Sequence, residues 1–287
     1  MICNLCPRDC GAKRSEYDGS GVCRMGTLPR VARIAPHMWE EPCISGERGS
    51  GTVFFSGCTL RCVFCQNYEI SAKNAGRTIT AKELSEEFKR LEELGVHNIN
   101  LVSPTPYIYA ILEAFGIYKP SIPVVYNTSG YEKAETLRLL DGAVDVYLPD
   151  LKYATSELSK MYSAADNYVE SAICAIEEML RQTGKPEFDD EGMLKRGTVI
   201  RHLVLPNHTK NSIAVLDIIK EHFSSAMVSL MGQYVPLGNA SEYEKLNRKI
   251  TRREYEKVKE HLFALDLDGF VQELSSADEK YVPTWDY

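Results

Sequence analysis

The chain has 287 residues, 44% hydrophobic and 25% charged, with a formal net charge of −7. That length buries a full core as one α/β unit, and the composition is ordinary for a globular enzyme. The acidic balance excludes nucleic acid as an expected partner, since phosphate binding needs a basic footprint. No apolar run reaches membrane-spanning length, and the first residues carry no apolar signal core. The nine cysteines are therefore expected as reduced thiols in the cytoplasm.

Residues 1–50 precede the first strand pattern and are expected to wrap onto the rest as a Cys-rich extension. Cys3, Cys6, Cys10 and Cys23 stand there as C-x2-C-x3-C-x12-C. Four thiolates with two short spacings suit a closed zinc site or an iron–sulfur cluster, and spacing alone leaves both open. Gly11, Gly19, Gly21 and Gly26 let the backbone wrap tightly around a metal. Cys43 could serve as a substitute ligand, whereas Cys174, in an apolar helical run, is expected in the core.

From residue 51 onward, short β-branched runs alternate with helical stretches, the pattern of βα units on a parallel sheet. Strands are expected over 51–56, 97–103, 122–127, 144–149, 198–205 and 226–231. Six strands suit a partial (β/α)6 TIM-like barrel over residues 51–236. Thr80 and Glu83 form a capping box that opens a helix, with Leu84, Phe88 and Leu91 on its buried face and Gly95 as its stop. The Pro/Gly/Asp-rich stretch between Gly184 and Gly197 reads as a surface loop. A second capping box, Thr251 and Glu254, opens a helix in a closing segment over residues 237–287, with Tyr255, Val258 and Leu262 as its docking face.

Directly after the first strand comes Cys-Thr-Leu-Arg-Cys-Val-Phe-Cys, with Cys58, Cys62 and Cys65 on one short loop. A cubane iron–sulfur cluster ordinarily takes four cysteines. Three leave one iron open to an exogenous molecule. In parallel barrels chemistry collects at the C-terminal ends of strands. Asn127 and Thr128 end the third strand, and Asp150 and Lys152 follow the fourth. Arg201 and His202 are neighbours on the fifth, so only one can face the interior.

The run C-x3-C-x-aromatic-C, with Phe64 in the aromatic slot, resembles the signature of the radical S-adenosylmethionine enzymes. The wider string over residues 51–71 is similar to the branch related to pyruvate formate-lyase-activating enzymes. The resemblance implies a [4Fe–4S] cluster on Cys58, Cys62 and Cys65, with S-adenosylmethionine chelating the open iron. It also implies reductive cleavage to a 5′-deoxyadenosyl radical, which takes a hydrogen atom from substrate. A reducing donor of the flavodoxin or ferredoxin class is implied, as is a glycyl radical enzyme as the substrate of that branch.

By the same resemblance, Lys152 would bind the methionine carboxylate of the cofactor, Asp150 its amino or ribose side, and Arg201 would be the active-site arginine. Asn-Thr-Ser-Gly resembles a family Asp-Thr-Asn-Gly, with Asn127 in the carboxylate's place. One departure concerns the second strand, which ends in Ser103-Pro104-Thr105-Pro106 where many members have Gly-Gly-Glu. Ser103 and Thr105 are the candidates to replace that contact. The departure, with the unusual N-terminus, keeps two alternatives in view: radical modification of a small molecule or peptide, and a non-catalytic zinc-binding regulator.

Overall fold

The computed structural model describes residues 2–274 and residue 285. Its elements in chain order are β1 (Arg30–His37), α1 (Pro42–Ser45), β2 (Ser50–Phe55), α2 (Tyr68–Ser71), β3 (Arg77–Thr78), α3 (Ala81–Glu93) and β4 (Ile99–Val102). There follow α4 (Ile108–Ile117), β5 (Val124–Thr128), α5 (Ala134–Leu137), β6 (Val146–Pro149), α6 (Ser156–Ser163) and α7 (Tyr168–Thr183). The last are β7 (Glu187–Phe188), β8 (Leu194–Leu203), α8 (Thr209–His222), β9 (Met227–Met231), α9 (Arg252–Ala264) and β10 (Gly269–Val271).

Strands β2, β4, β5, β6, β8 and β9 are neighbours in that order, each parallel to the next. They are the six strands expected from the sequence. Because their spatial order follows chain order without reversal, the winding is that of a barrel and not of a doubly wound sheet. The sheet stays open, with β3 at one edge and β10, parallel to β9, at the other. The fold is a partial TIM-like barrel.

Strand parity sorts the side chains. Val53, Phe55, Tyr126 and Tyr147 point outward under α3, α4 and α7. Val125, Val146, Leu148 and Val199 point inward and meet Cys43 and Ile44 of α1 inside the barrel. The lower interior is thus closed by a short helix from the N-terminal region. Residues that continue the inward parity toward the strand ends, Asn127 after Val125 and Asp150 after Leu148, are polar.

Both expected capping boxes form: Glu83 N donates to Thr80 Oγ1 and Thr80 N to Glu83 Oε2, and Thr251 and Glu254 repeat the pattern. Leu84, Phe88 and Leu91 are fully buried on α3, and Tyr255, Val258 and Leu262 on α9. Part of the closing segment expected over 237–287 lies outside the described residues. Among the described residues, no helix is long and apolar enough to cross a membrane.

Several expectations are corrected. Residues 1–50 do more than wrap the barrel, because β1 extends the sheet antiparallel to β2. The stretch between Gly184 and Gly197 folds back as a hairpin, β7 against the start of β8, so β8 begins at Leu194. Its two exposed β7 residues have no apolar alternation to reveal a strand. Cys43 packs in the barrel interior, where burial pushes its thiol up to about 12, away from the other N-terminal cysteines. Cys174 is exposed, on the outer side of α7 from buried Ala172 and Ile176.

Candidate active site

The cysteine loop leaves the C-terminal end of β2 and is pinned by its backbone. Cys58 N donates to Ser71 O at 3.1 Å, and Val63 N donates to Tyr162 O at 2.9 Å. Cys58, Cys62 and Cys65 line one cavity of about 170 Å³. Each sulfur faces a donor: Leu60 N at 3.4 Å from Cys58 Sγ, Ser163 Oγ at 3.2 Å from Cys62 Sγ and Ser71 Oγ at 3.3 Å from Cys65 Sγ. Burial raises the Cys62 thiol, with Lys152 opposing, and pushes Cys65 up to about 12. Such thiols keep their protons until a cation replaces them.

Across the same cavity lies a buried charge network. Arg201 Nε donates to Asp150 Oδ1 at 2.9 Å, Nη1 to Glu40 Oε2 at 3.3 Å and Nη2 to Asn127 Oδ1 at 2.6 Å. Lys152 Nζ donates to Asp150 Oδ2 at 2.5 Å. Burial would raise Asp150, but Arg201 and Lys152 outweigh it and hold the carboxyl below its usual range. Burial likewise opposes the charge of Lys152, which Asp150 and Cys62 restore and raise. Gly130 lies against Asp150 O with φ +77°, where any Cβ would collide with that oxygen.

Phe64, Ser103, Asn127, Thr128, Asp150, Lys152 and Arg201 all line the cysteine cavity. Ser103 adopts φ 57°, a left-handed conformation uncommon for a non-glycine residue and often found at functional sites. Thr105 does not join them. Its hydroxyl turns away and donates to Glu132 Oε1 at 2.6 Å. His202 takes the opposite face to Arg201, fully buried against Leu151 O. Sequence reasoning missed Glu40, which reaches the network from the N-terminal region, and Gln66 and Gln233, which sit on the cavity wall.

The four N-terminal cysteines also come together, around a second small cavity bounded by Thr59, Thr105 and Pro106. Arg14 Nη1 lies 3.7 Å from Cys3 Sγ. Burial raises Cys6 to about 12, and also raises Cys23. Arg8, between Cys6 and Cys10, ties this group to the other loop. Its guanidinium donates to Thr59 O at 3.0 Å, Leu60 O at 2.9 Å and Ser163 O at 2.7 Å, and also to Ala164 O. Its face covers the Tyr131 ring at 5.2 Å.

The sequence profile of the radical SAM superfamily matches residues 52–219, from β2 through most of α8. The chain belongs to the radical SAM superfamily. A relative of this radical SAM protein, the uncharacterized protein MJ0674 of Methanocaldococcus jannaschii, is 32% identical over 276 residues, covering 93% of this chain and 75% of the relative. Solved structures share the fold. A radical SAM methyltransferase from Sphaerobacter thermophilus is 16% identical with a TM-score of 0.53, over 77% of this chain and 65% of its own. Streptococcus suis SuiB, bound to the precursor peptide SuiA, is 17% identical with a TM-score of 0.50, over 85% of this chain and 49% of its own. The chain thus spans about two thirds of the first structure and about half of the second.

Membership in the radical SAM superfamily implies a [4Fe–4S] cluster and S-adenosylmethionine. The donor set fits them: three soft sulfur ligands share a cavity with paired carboxylate, ammonium and guanidinium groups. Among the described residues no group of three or more His, Cys, Asp or Glu side chains closes around a single metal ion. A cubane does not require that, because each cysteine binds a different iron.

Proposed function

We propose that Cys58, Cys62 and Cys65 ligate the cluster and that Phe64, Ser103, Asn127, Thr128, Asp150, Lys152 and Arg201 form the S-adenosylmethionine pocket. When bound, cluster and cofactor supply one electron and a 5′-deoxyadenosyl radical that takes a hydrogen atom from substrate. The observation that carries this reading is a single cavity holding three cysteines on one wall and the Asp150–Lys152–Arg201 network on the other. Lys152 offers a cation to the methionine carboxylate, Asp150 accepts from the amino group or ribose hydroxyls, and Arg201 fixes Asp150 in place. Buried Phe64 packs against Tyr162 and Tyr234 beside the buried Cys62. Anaerobically reconstituted protein with dithionite should form 5′-deoxyadenosine, and Cys62→Ala should abolish it. A full cluster with no product would overturn the assignment.

The substrate is a finer matter. Activation of a glycyl radical enzyme follows from the branch resemblance, while radical modification of a small molecule or peptide is favoured by a second cavity of about 320 Å³ adjoining the first. Paramagnetic resonance of a candidate partner separates the two, since only the first leaves a glycyl radical. We take residues 1–50 as a metal-binding extension, 51–236 as the barrel and 237–287 as a closing segment. Cys3, Cys6, Cys10 and Cys23 are proposed as the second metal site, zinc or iron–sulfur; zinc would require the four thiols to close more tightly around one ion than they do among the described residues. A count of iron, sulfide and zinc in anaerobically purified protein decides between these, and zinc alone would restore the regulatory reading. A flavodoxin or ferredoxin in an oxygen-poor cytoplasm is the matching electron source.

A further inference from the structure

The adjoining cavity of about 320 Å³ shares Gln66, Asn127, Arg201 and Gln233 with the cysteine cavity. Its other walls include Glu40, Glu41, Ser229 and Gln272, with Trp39 and Phe54, none of which borders the thiols. Among the described residues, four polar atoms of this cavity's lining residues are buried without a hydrogen-bond partner: Glu41 Oε2, Ser229 Oγ, Gln272 Oε1 and, on the wall shared with the cysteine cavity, Asn67 Oδ1. Glu41 is 3% exposed and Ser229 is 0% exposed. An orphaned buried polar atom costs about 1–3 kcal/mol, and more when charged. Four around one cavity mark where a ligand completes the bonding. An ionised carboxylate and an amide oxygen can only accept, and a hydroxyl does either. The missing partner is a donor.

Charge says what kind of donor. Glu40, Glu41 and Asp150 meet Arg201 and Lys152, so carboxylates outnumber cations. Arg201 already spends its guanidinium on Asp150, Glu40 and Asn127, and Lys152 is held by Asp150. Glu41 feels the charge of Arg201 but forms no close ion pair with it among the described residues, since Arg201's pairs within 4.0 Å are with Glu40 and Asp150. Glu40 registers the excess: burial first, then Glu41, push it up to about 7 against the pull of Arg201. A positive group in the cavity would relieve both carboxylates, and the Trp39 and Phe54 rings suit a cation.

We propose that this cavity binds an ammonium or guanidinium group of the substrate, held by Glu41 with Ser229 and Gln272, on a skeleton of amino-acid size. The size follows from the volume, near the low end of small-molecule pockets. The proposal rests on the radical-site reading above and adds the substrate's chemical class. A free diamine and a basic side chain of a peptide share that chemistry.

Anaerobic calorimetry on the reconstituted protein with S-adenosylmethionine tests it. The peptide-like probes are Nα-acetyl-lysine amide and Nα-acetyl-arginine amide, with the neutral norleucine and citrulline analogues as controls. Pentane-1,5-diamine and agmatine represent free cations. At least one cationic probe should bind, its neutral counterpart at least tenfold more weakly, and Glu41→Gln should weaken the cation at least tenfold. Which cationic set binds tells a free amine from a peptide side chain. Equal binding of neutral analogues, no binding by any cation, or a Glu41→Gln protein that binds as before would overturn it. If circular dichroism shows that Glu41→Gln has not folded, Ser229→Ala replaces it, with at least threefold weaker cation binding expected and unchanged binding overturning the proposal. The same preparation is assayed for 5′-deoxyadenosine. Product without cation binding sinks this proposal alone, and cation binding without product sinks only the radical reading.

Discussion

Arg201 Nε lies 2.9 Å from Asp150 Oδ1, joining β8 to the end of β6 where β-bridge pairing between the two strands runs out. The two residues form an isolated bridge of their own, so an ion pair and a backbone bridge tie β8 to β6 beside the cysteines. Both side chains are nearly buried, at 13% and 12% exposed. Removing one partner leaves the other charge stranded, and that governs the first prediction.

Asp150→Asn should cost the apoprotein about 3–5 kcal/mol, the usual penalty for breaking a buried pair. Urea unfolding at neutral pH measures it. Since Asp150 sits below its usual range when folded, its contribution is present above the unfolded value of about 3.9 and is lost as pH falls through the folded value. The difference between wild type and Asp150→Asn should therefore shrink on acidification.

Glu132 should act with the opposite sign. It takes Thr105 and Thr128 hydroxyls on one oxygen, its other oxygen has no partner among the described residues, and burial raises its carboxyl to about 7. The folded state holds the proton longer than the unfolded one, so stability falls as pH rises from the unfolded value of 4.5 to about 7. Glu132→Gln should flatten that slope by up to about 3 kcal/mol, at ~1.36 kcal/mol per pKa unit. An unchanged slope in urea melts across this range would refute it.

Ser163→Ala removes the donor to Cys62 Sγ while leaving the thiol in place. Hydrogen bonds to cluster sulfurs help set reduction potentials by stabilising the more negative, reduced form. The reconstituted variant should keep its iron content but show a more negative potential in a titration followed by paramagnetic resonance.

Arg8→Ala strips one guanidinium from the carbonyls of Thr59, Leu60, Ser163 and Ala164. Hydrogen bonds to charged groups are worth about 1.5–3 kcal/mol each but do not add, so a loss of about 3 kcal/mol is expected. The loop bearing Cys58 and Cys62 loses its clamp as well. Iron retained after desalting should fall relative to wild type, and Arg8→Lys, with no planar fork, should restore little of it.

The two cysteine runs, both capping boxes and the six parallel strands were legible because each is a local pattern. So was the choice between Arg201 and His202, which strand parity forces once the family resemblance favours Arg201 for the inside. Glu40 and Glu41 were not. Trp-Glu-Glu-Pro-Cys has no period, and it enters the barrel only because β1 pairs with β2 and turns the chain inward. Ser229 is hidden for a related reason: it sits in the otherwise apolar Met-Val-Ser-Leu-Met, where a buried hydroxyl looks like filler. Thr105 was placed wrongly because the short turn over Thr105–Tyr107 rotates its hydroxyl toward Glu132.

The helix that stoppers the barrel, α1, arrives from upstream of the matched residues 52–219 and brings Glu40 and Glu41 with it. Ser229, Gln233 and Gln272 arrive from downstream. The stretch common to the superfamily thus supplies the thiols and the Asp150–Lys152–Arg201 network, while most of the polar groups lining the neighbouring chamber come from the two flanks. Relatives can keep the first and rewrite the second independently. A barrel trimmed to the shared segment would keep its three thiols while losing both the stopper and most of the chamber.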